Sequence, residues 1–347
     1  MNAAVYHGPG DIRVEEVQRP EIETPSDAIV RVTHTAVCGS DLWFYRGESD
    51  RETGTRVGHE PMGVVEAVGD DVRSVRPGDR VFAPFVVSCG YCEFCRKGLH
   101  TSCVNGDSWG GDNGGAQGEY VRAPHADGTL VRVPDSDADD EDVLTALLPL
   151  TDVMGTGHHA AVSAGVGESD TCVVVGDGAV GLCGVLAARR LGASRIVAVG
   201  HHADRLALAE EFGATETVLG GDGTDVVEAV TERTDGGSEH VLECVGAASA
   251  METAVEVCRP GGTVGYVGVP HGIEDGAFPM FEMFGDNVSL RGGVAPVRAY
   301  ADDLMADVLD GTLDPSPIFT KTVSLDDIAD GYRAMDEREA IKVLVEP

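Results

Sequence analysis

One junction constrains the fold more than any other part of the chain. "TCVVVG" (171–176) is rich in β-branched residues and passes straight into "GDGAVG" (176–181). "AVGLCGVLAARRLGA" then follows, a run of helix formers with apolar residues at helical spacing. Gly176, Gly178 and Gly181 fit G-x-G-x-x-G. After a strand and before a helix, each glycine has its own task. The first makes a tight turn, the second lets a diphosphate approach the backbone, and the third packs helix on strand. The helix N-terminus favours negative charge. A flexible turn in another kind of α/β protein could hold the same glycines, but the continuation is regular. "RIVAVG" reads as a strand and "DRLALAEEFGA" as a helix. "ETVLG", "EHVLECVG", "GGTVGYVGV" and "VSLRGG" read as further strands, with helical "AMETAVEVCR" among them. About six strands alternating with helices predict a doubly wound parallel sheet.

The front half reads differently. "AIVRVTHTAV" (28–37) is a strand, and "VRPGDRVF" carries the Pro-Gly punctuation of a hairpin in a β-rich domain. The pattern changes after "PDSDADDEDV" (134–143), an acidic loop suited to a helix N-terminus. From about 297 the pattern is mixed again. With 347 residues the chain has room for two domains.

Four of the nine cysteines crowd into "CGYCEFCRKGLHTSC": Cys89, Cys92, Cys95 and Cys103. A bacterial iron–sulfur run would place its fourth cysteine three residues after the third, with proline next. Here seven residues intervene and Val104 follows. Four thiolates in one short loop suit a closed tetrahedral zinc site, with a disulfide or redox use as the competing reading. The start, "MNAAVYHGPG", has neither a basic n-region nor an apolar h-region, and no run is long enough to span a membrane. A cytoplasmic chain with reduced thiols is expected. Cys172, Cys183, Cys244 and Cys258 read as small hydrophobes of the second half.

Charge narrows the partners. The net charge is −34, and only three of the 25 basic residues are lysine: Lys97, Lys321 and Lys342. Phosphate-rich nucleic acid would be repelled. The aliphatic content argues against acidic disorder. Adaptation to high salt accounts for the acids better, since near 1 M salt the screening length falls to about 3 Å and self-repulsion is muted.

The remaining candidates are scattered. "AVCGSDL" holds Cys38, Ser40 and Asp41; "RVGHEPMG" holds His59 and Glu60; "LTDVMGTGHHAA" holds Asp152 and Thr156. Singly, each reads as a core thiol, a turn histidine or a helix cap. Together they supply a thiolate, an imidazole and a carboxylate, the set of an open catalytic zinc site. In this order, with the cysteine lobe and the glycine loop, the chain resembles the zinc-dependent medium-chain alcohol dehydrogenase family along essentially its whole length.

The resemblance implies a GroES-like catalytic domain (1–152 and 297–347) bearing the structural zinc lobe (89–103), with a Rossmann domain (153–296) inserted. It implies two zinc ions per chain. Cys38, His59 and Asp152 would hold the catalytic one, and the four cysteines the structural one. Glu60 would be the carboxylate near the metal, Asp41 the partner of His59, and Ser40 the hydroxyl that takes the substrate proton. Thr156 and Val180 would pack near a nicotinamide. Gly176, Gly178, Ala179, Gly181, Val245, Val267 and Val269 would line the dinucleotide. Two features depart from the common pattern: Asp152 stands where many members have cysteine, and Trp43 where many have a relay histidine. Trp43, Phe44 and Trp109 either wall the substrate cleft or pack the core. His158 and His159 read as packing residues beside Thr156.

At the end of the second strand of the cofactor unit, the ribose-binding acid's place falls on Gly200, and the next acid is Asp204, better read as a helix cap. His201, His202 and Arg205 offer donors there, so NADP is expected over NAD. The resemblance further implies an alcohol or carbonyl substrate and a homodimer or homotetramer. A zinc-free quinone or enone reductase, or a non-catalytic dinucleotide-binding protein, would have no use for the ligand set.

Overall fold

The strand ahead of the glycines, Thr171–Val175, is enclosed on both faces. Cys172, Val173 and Val174 are fully buried, as in a parallel strand covered by helices on either side. The computed structural model describes residues 1–110, 114–221, 223–270 and 279–347. Among these, six strands form the sheet: Thr171–Val175, Arg195–Gly200, Glu216–Leu219, Ser238–Glu243, Cys258–Tyr266 and Ser289–Gly292. Their spatial order is third, second, first, fourth, fifth, sixth, and every pairing is parallel. The order turns back between the first and fourth strands, which opens a crevice at their carboxyl ends. The core beneath is aliphatic: Val173, Val197, Val241, Val264, Met251 and Val255 belong to one cluster.

Two boundaries move from the sequence reading. The helix expected over "AMETAVEVCR" is Ala248–Glu256, and Cys258 opens the fifth strand. Cys244 lies just past the fourth strand. Cys172, Cys183 and Cys258 are buried, Cys258 within the aliphatic cluster.

The chain divides into two compact units, Met1–Asp152 with Pro296–Pro347, and Val153–Ala295. The first is built on a mainly antiparallel sheet. Its central strand, Ala28–Val37, pairs with Met62–Val68, Tyr120–Ala123 and Lys342–Glu346. The last of these draws the end of the chain into the N-terminal sheet, with Val343 opposite Val37 and Val345 opposite Thr35. The acidic loop does feed a helix: Asp140 caps Glu141–Leu147 by accepting from the N–H groups of Asp142 and Val143. Phe44 packs edge-on against Tyr6, and Trp109 is buried with its Nε1 donating to the Pro84 carbonyl. Both therefore belong to the core of this unit. Among the described residues, no helix is long and apolar enough to cross a membrane.

Candidate functional site

The cysteine lobe is a set of tight turns that aim four sulfurs at one point. Cys89 and Cys103 sulfurs lie 3.4 Å apart, Cys92 and Cys95 3.5 Å, and Cys92 and Cys103 3.9 Å. Bonds of about 2.3 Å in a tetrahedron put sulfurs about 3.8 Å apart, whereas a disulfide needs about 2 Å. All nine cysteines are free. Backbone N–H groups of Cys95 and Val104 hold the Cys92 thiol down at about 6. Burial, with the neighbouring thiols, pushes Cys95 up to about 12. Four thiolates at this spacing would need a cation to offset their charge.

The second cluster is assembled from distant segments. The short helix Asp41–Arg46 follows Cys38 after Gly39 and Ser40, and Asp41 turns back so that Oδ2 accepts from the Cys38 N–H at 3.1 Å. Cys38 Sγ lies 3.2 Å from Asp152 Oδ2, and His59 Nε2 lies 3.3 Å from the same oxygen. His59 Nδ1 faces Asp41 Oδ1 at 3.4 Å, and Nε2 is 3.9 Å from Glu60 Oε1. One ligand atom from each of Cys38, His59, Glu60 and Asp152 falls within 4.8 Å of the others. Ser40 is exposed beside them and its side chain makes no capping bond to the helix.

The electrostatics ask for a cation. Burial, then the Asp152 carboxylate, pushes the Cys38 thiol up. Although burial opposes its charge, His59 is raised well above the ordinary imidazole value, first by Asp41 and then by Asp152. Both shifts favour the protonated forms of Cys38 and His59. A divalent ion would release those protons and neutralise the anionic donors. The soft sulfur, imidazole and carboxylate set fits zinc.

Sequence reasoning missed Lys342. It is fully buried, its Nζ donates to Glu60 Oε1 at 2.7 Å and to the Val37 carbonyl at 3.3 Å. Burial opposes the Lys342 charge, yet Glu60 and the other anions hold it above the usual lysine value. Burial also lifts Glu60, but the 2.7 Å contact is a direct ion pair and keeps both partners charged. Thr151 Oγ1 reaches the other Glu60 oxygen at 3.3 Å. A lysine in the apolar run "IKVLVEP", in a chain with three lysines, was the available signal. Gln117 was also missed: it donates to Asp41 Oδ2 at 3.3 Å and accepts from the Tyr332 hydroxyl at 2.8 Å, holding Asp41 in place.

In the second unit, Gly178 opens the helix Ala179–Arg190 with no side-chain cap and empty space where a Cβ would stand. Gly181 must be glycine, because a Cβ there would meet the Gly176 carbonyl oxygen at 1.9 Å. Uncapped N–H groups facing open space fit a dinucleotide diphosphate. Val245 and Val269 are exposed just past the fourth and fifth strands, and the Val267 N–H donates to the Glu243 carbonyl. Thr156 and His158 lie buried on the helix Val153–Ala164. Gly200 ends the second strand, followed by exposed His201 and half-buried His202 and Arg205. Along the strand the sequence offers no acid between Gly200 and Asp204. The edge does hold a carboxylate: Asp177 of the glycine loop reaches across to it, with Oδ2 2.6 Å from the His201 N–H. Counting acids forward along the strand could not find a residue that lies behind it in sequence.

Comparison with known proteins agrees with this geometry. Residues 24–135 match the Alcohol dehydrogenase GroES-like domain, and residues 179–308 match Zinc-binding dehydrogenase. An uncharacterized zinc-type alcohol dehydrogenase-like protein of Bacillus subtilis is 33% identical over 382 residues, covering 100% of each chain. The solved alcohol dehydrogenase of Thermus sp. ATN1 is similar with a TM-score of 0.92 and 33% identity, over 100% of this chain and 99% of that one. A zinc-binding dehydrogenase type structure from Sinorhizobium meliloti 1021, bound to NADP, gives 0.84 and 29%, over 100% and 99%. With this likeness end to end, the chain belongs to the zinc-type medium-chain alcohol dehydrogenase family, whose work is alcohol oxidoreduction.

Proposed function

We propose that the chain is a zinc-requiring dehydrogenase that interconverts an alcohol, polyol or sugar and its carbonyl compound with NAD or NADP. The observation that carries this reading is the convergence of Cys38, His59 and Asp152 beside exposed Ser40. The first unit is then the catalytic domain and the second the dinucleotide-binding domain. A zinc ion on the three ligands supplies Lewis acidity toward the substrate oxygen, and a bound nicotinamide supplies the hydride acceptor.

The chain's own residues do the rest. Cys38 and Asp152 contribute two negative donors. Asp41, held by Gln117 and the Cys38 N–H, fixes the His59 ring by accepting from Nδ1, which leaves Nε2 as the donor atom. Lys342 and Thr151 tie up both oxygens of Glu60, so the nearby carboxylate stays out of the ligand set. Ser40 Oγ accepts the substrate hydroxyl proton. With Trp43 in place of a relay histidine, that proton leaves Ser40 by a route that needs no imidazole at position 43, through the cofactor ribose and water or through another group. The four-cysteine lobe holds a second, structural zinc.

The net charge of −34 supports work in high salt and on small molecules rather than nucleic acid; a cytoplasmic homodimer or homotetramer is what the family resemblance implies. Gly200 with His201, His202 and Arg205 speaks for NADP, and Asp177 speaks against it. The test is a screen of primary and secondary alcohols, polyols, sugars and aldehydes with each dinucleotide in molar salt, following reduced nicotinamide. Turnover that survives removal of zinc would overturn the proposal in favour of a metal-free reductase. No turnover with any compound, despite dinucleotide binding, would overturn it in favour of a binding protein.

A further inference from the structure

The glycine loop carries a charged residue that its turn does not require. Asp177 stands between Gly176 and Gly178, and three donors converge on its Oδ2. The His201 N–H donates at 2.6 Å, the His202 N–H at 2.8 Å and the His202 Nδ1–H at 2.9 Å. A carboxylate only accepts, so Nδ1 carries the hydrogen. The same side chain covers Gly200. A Cβ at residue 200 would come within 2.5 Å of both the Asp177 Cβ and Oδ2. Gly200 is therefore a clearance for Asp177, and the acid absent from the end of the strand arrives from the loop beside it.

The position gives this acid a function. The end of the second strand, next to the first glycine turn, is where a dinucleotide's adenosine ribose is read. Two backbone N–H groups and an imidazole N–H aimed at one point form an anion nest. If empty, that nest would suit a 2′-phosphate. Here an internal carboxylate fills it. Burial opposes the Asp177 charge, but the bonds from His202 and His201 hold its pKa below the ordinary carboxylate value, so it stays ionised. A 2′-phosphate would have to dislodge Asp177 from three hydrogen bonds or sit against it at like charge. A free 2′-hydroxyl meets neither obstacle and can donate to Oδ1, since all three bonds fall on Oδ2. Arg205 lies in the first turn of Ala203–Phe212, which follows this edge.

We propose that Asp177 is the specificity-determining residue of the dinucleotide site and selects the unphosphorylated ribose, so that NAD is preferred to NADP. This reverses the preference read from Gly200 alone, and it rests on the dinucleotide-binding reading of the second unit. Gly200→Asp is not a clean test, because its new Cβ overlaps Asp177.

The experiment is titration of NADH and NADPH into the full-length protein at one molar salt concentration, reading nicotinamide fluorescence, without substrate. The wild type is expected to bind NADH at least about tenfold more tightly, the equivalent of about 1.4 kcal/mol. Asp177→Asn keeps the shape and removes the charge, and Asp177→Ala opens the nest; each should shift the ratio toward NADPH by about tenfold. A wild-type preference for NADPH, or equal affinities, overturns the proposal without reference to any variant. An unmoved ratio in variants that melt like the wild type also overturns it. If neither nucleotide binds the wild type, the dinucleotide reading itself fails and the proposal with it.

Discussion

The two cysteine-bearing clusters of the first unit solve opposite problems. The lobe takes its four donors from fifteen consecutive residues, 89–103, and all are sulfur. The other takes Cys38, His59, Glu60 and Asp152 from three segments, mixes sulfur, nitrogen and oxygen, and rests on a lysine at position 342. The lobe is local: on one ion, four thiolates would complete a tetrahedron and leave nothing for a substrate. The mixed cluster is non-local, and Lys342 and Thr151 each bond one oxygen of Glu60; on the reading proposed above, three donors would then hold the ion and one position would be open. A closed site stabilises; an open site can act. The difference teaches that the metal's role is set by what surrounds it as much as by the ligand count.

The largest effect should come from the open site alone. Cys38→Ser or Asp152→Ala should lower turnover by about 10³-fold or more, equivalent to about 4 kcal/mol of transition-state stabilisation. Dinucleotide binding, proposed for the second unit, should persist. Near-normal turnover in either variant would collapse the distinction between the two clusters.

Next in size is the buried ion pair. Lys342→Met leaves Glu60 buried without its cation, and breaking such a pair costs about 3–5 kcal/mol. Urea unfolding in molar salt should register that loss, while the lobe keeps its zinc. A cost below about 1 kcal/mol would mean that Lys342 does not support the open site.

Salt separates buried from exposed charge. From molar salt to 0.1 M the screening length grows from about 3 Å to about 10 Å. Repulsion within a net charge of −34 then strengthens, while the buried Lys342–Glu60 contact is little affected. The melting temperature and activity should fall together on dilution. Unchanged stability in dilute buffer would contradict salt adaptation.

The same contrast explains what the sequence disclosed. The strands Ala28–Val37 and Arg195–Gly200 occupy the residues read as strands, because β-branched runs enclosed by a sheet leave little ambiguity. The lobe was readable because its chemistry is a spacing. The fold was readable from one strand–glycine–helix junction and the alternation after it. The helix Val153–Ala164 was not, since its glycines and histidines are weak helix formers and burial decides its state. The Lys342–Glu60 contact was hidden because it depends on strand pairing between the end of the chain and Val37. Asp177 was hidden because a loop supplies the group that strand-end counting seeks downstream. The open cluster came from family resemblance, since each member alone has an ordinary structural use.

The central claim is that one chain holds two metal sites of different kinds. It is tested most directly by zinc per chain, measured with turnover on the same preparations of the wild type, Cys38→Ser and Cys95→Ser. The account predicts about two zinc ions in the wild type and about one in each variant. Cys38→Ser should lose turnover and keep its melting temperature, and Cys95→Ser should lose melting temperature with its open-site zinc still bound. A wild type with one zinc, or a Cys95→Ser protein with unchanged zinc and stability, would contradict it.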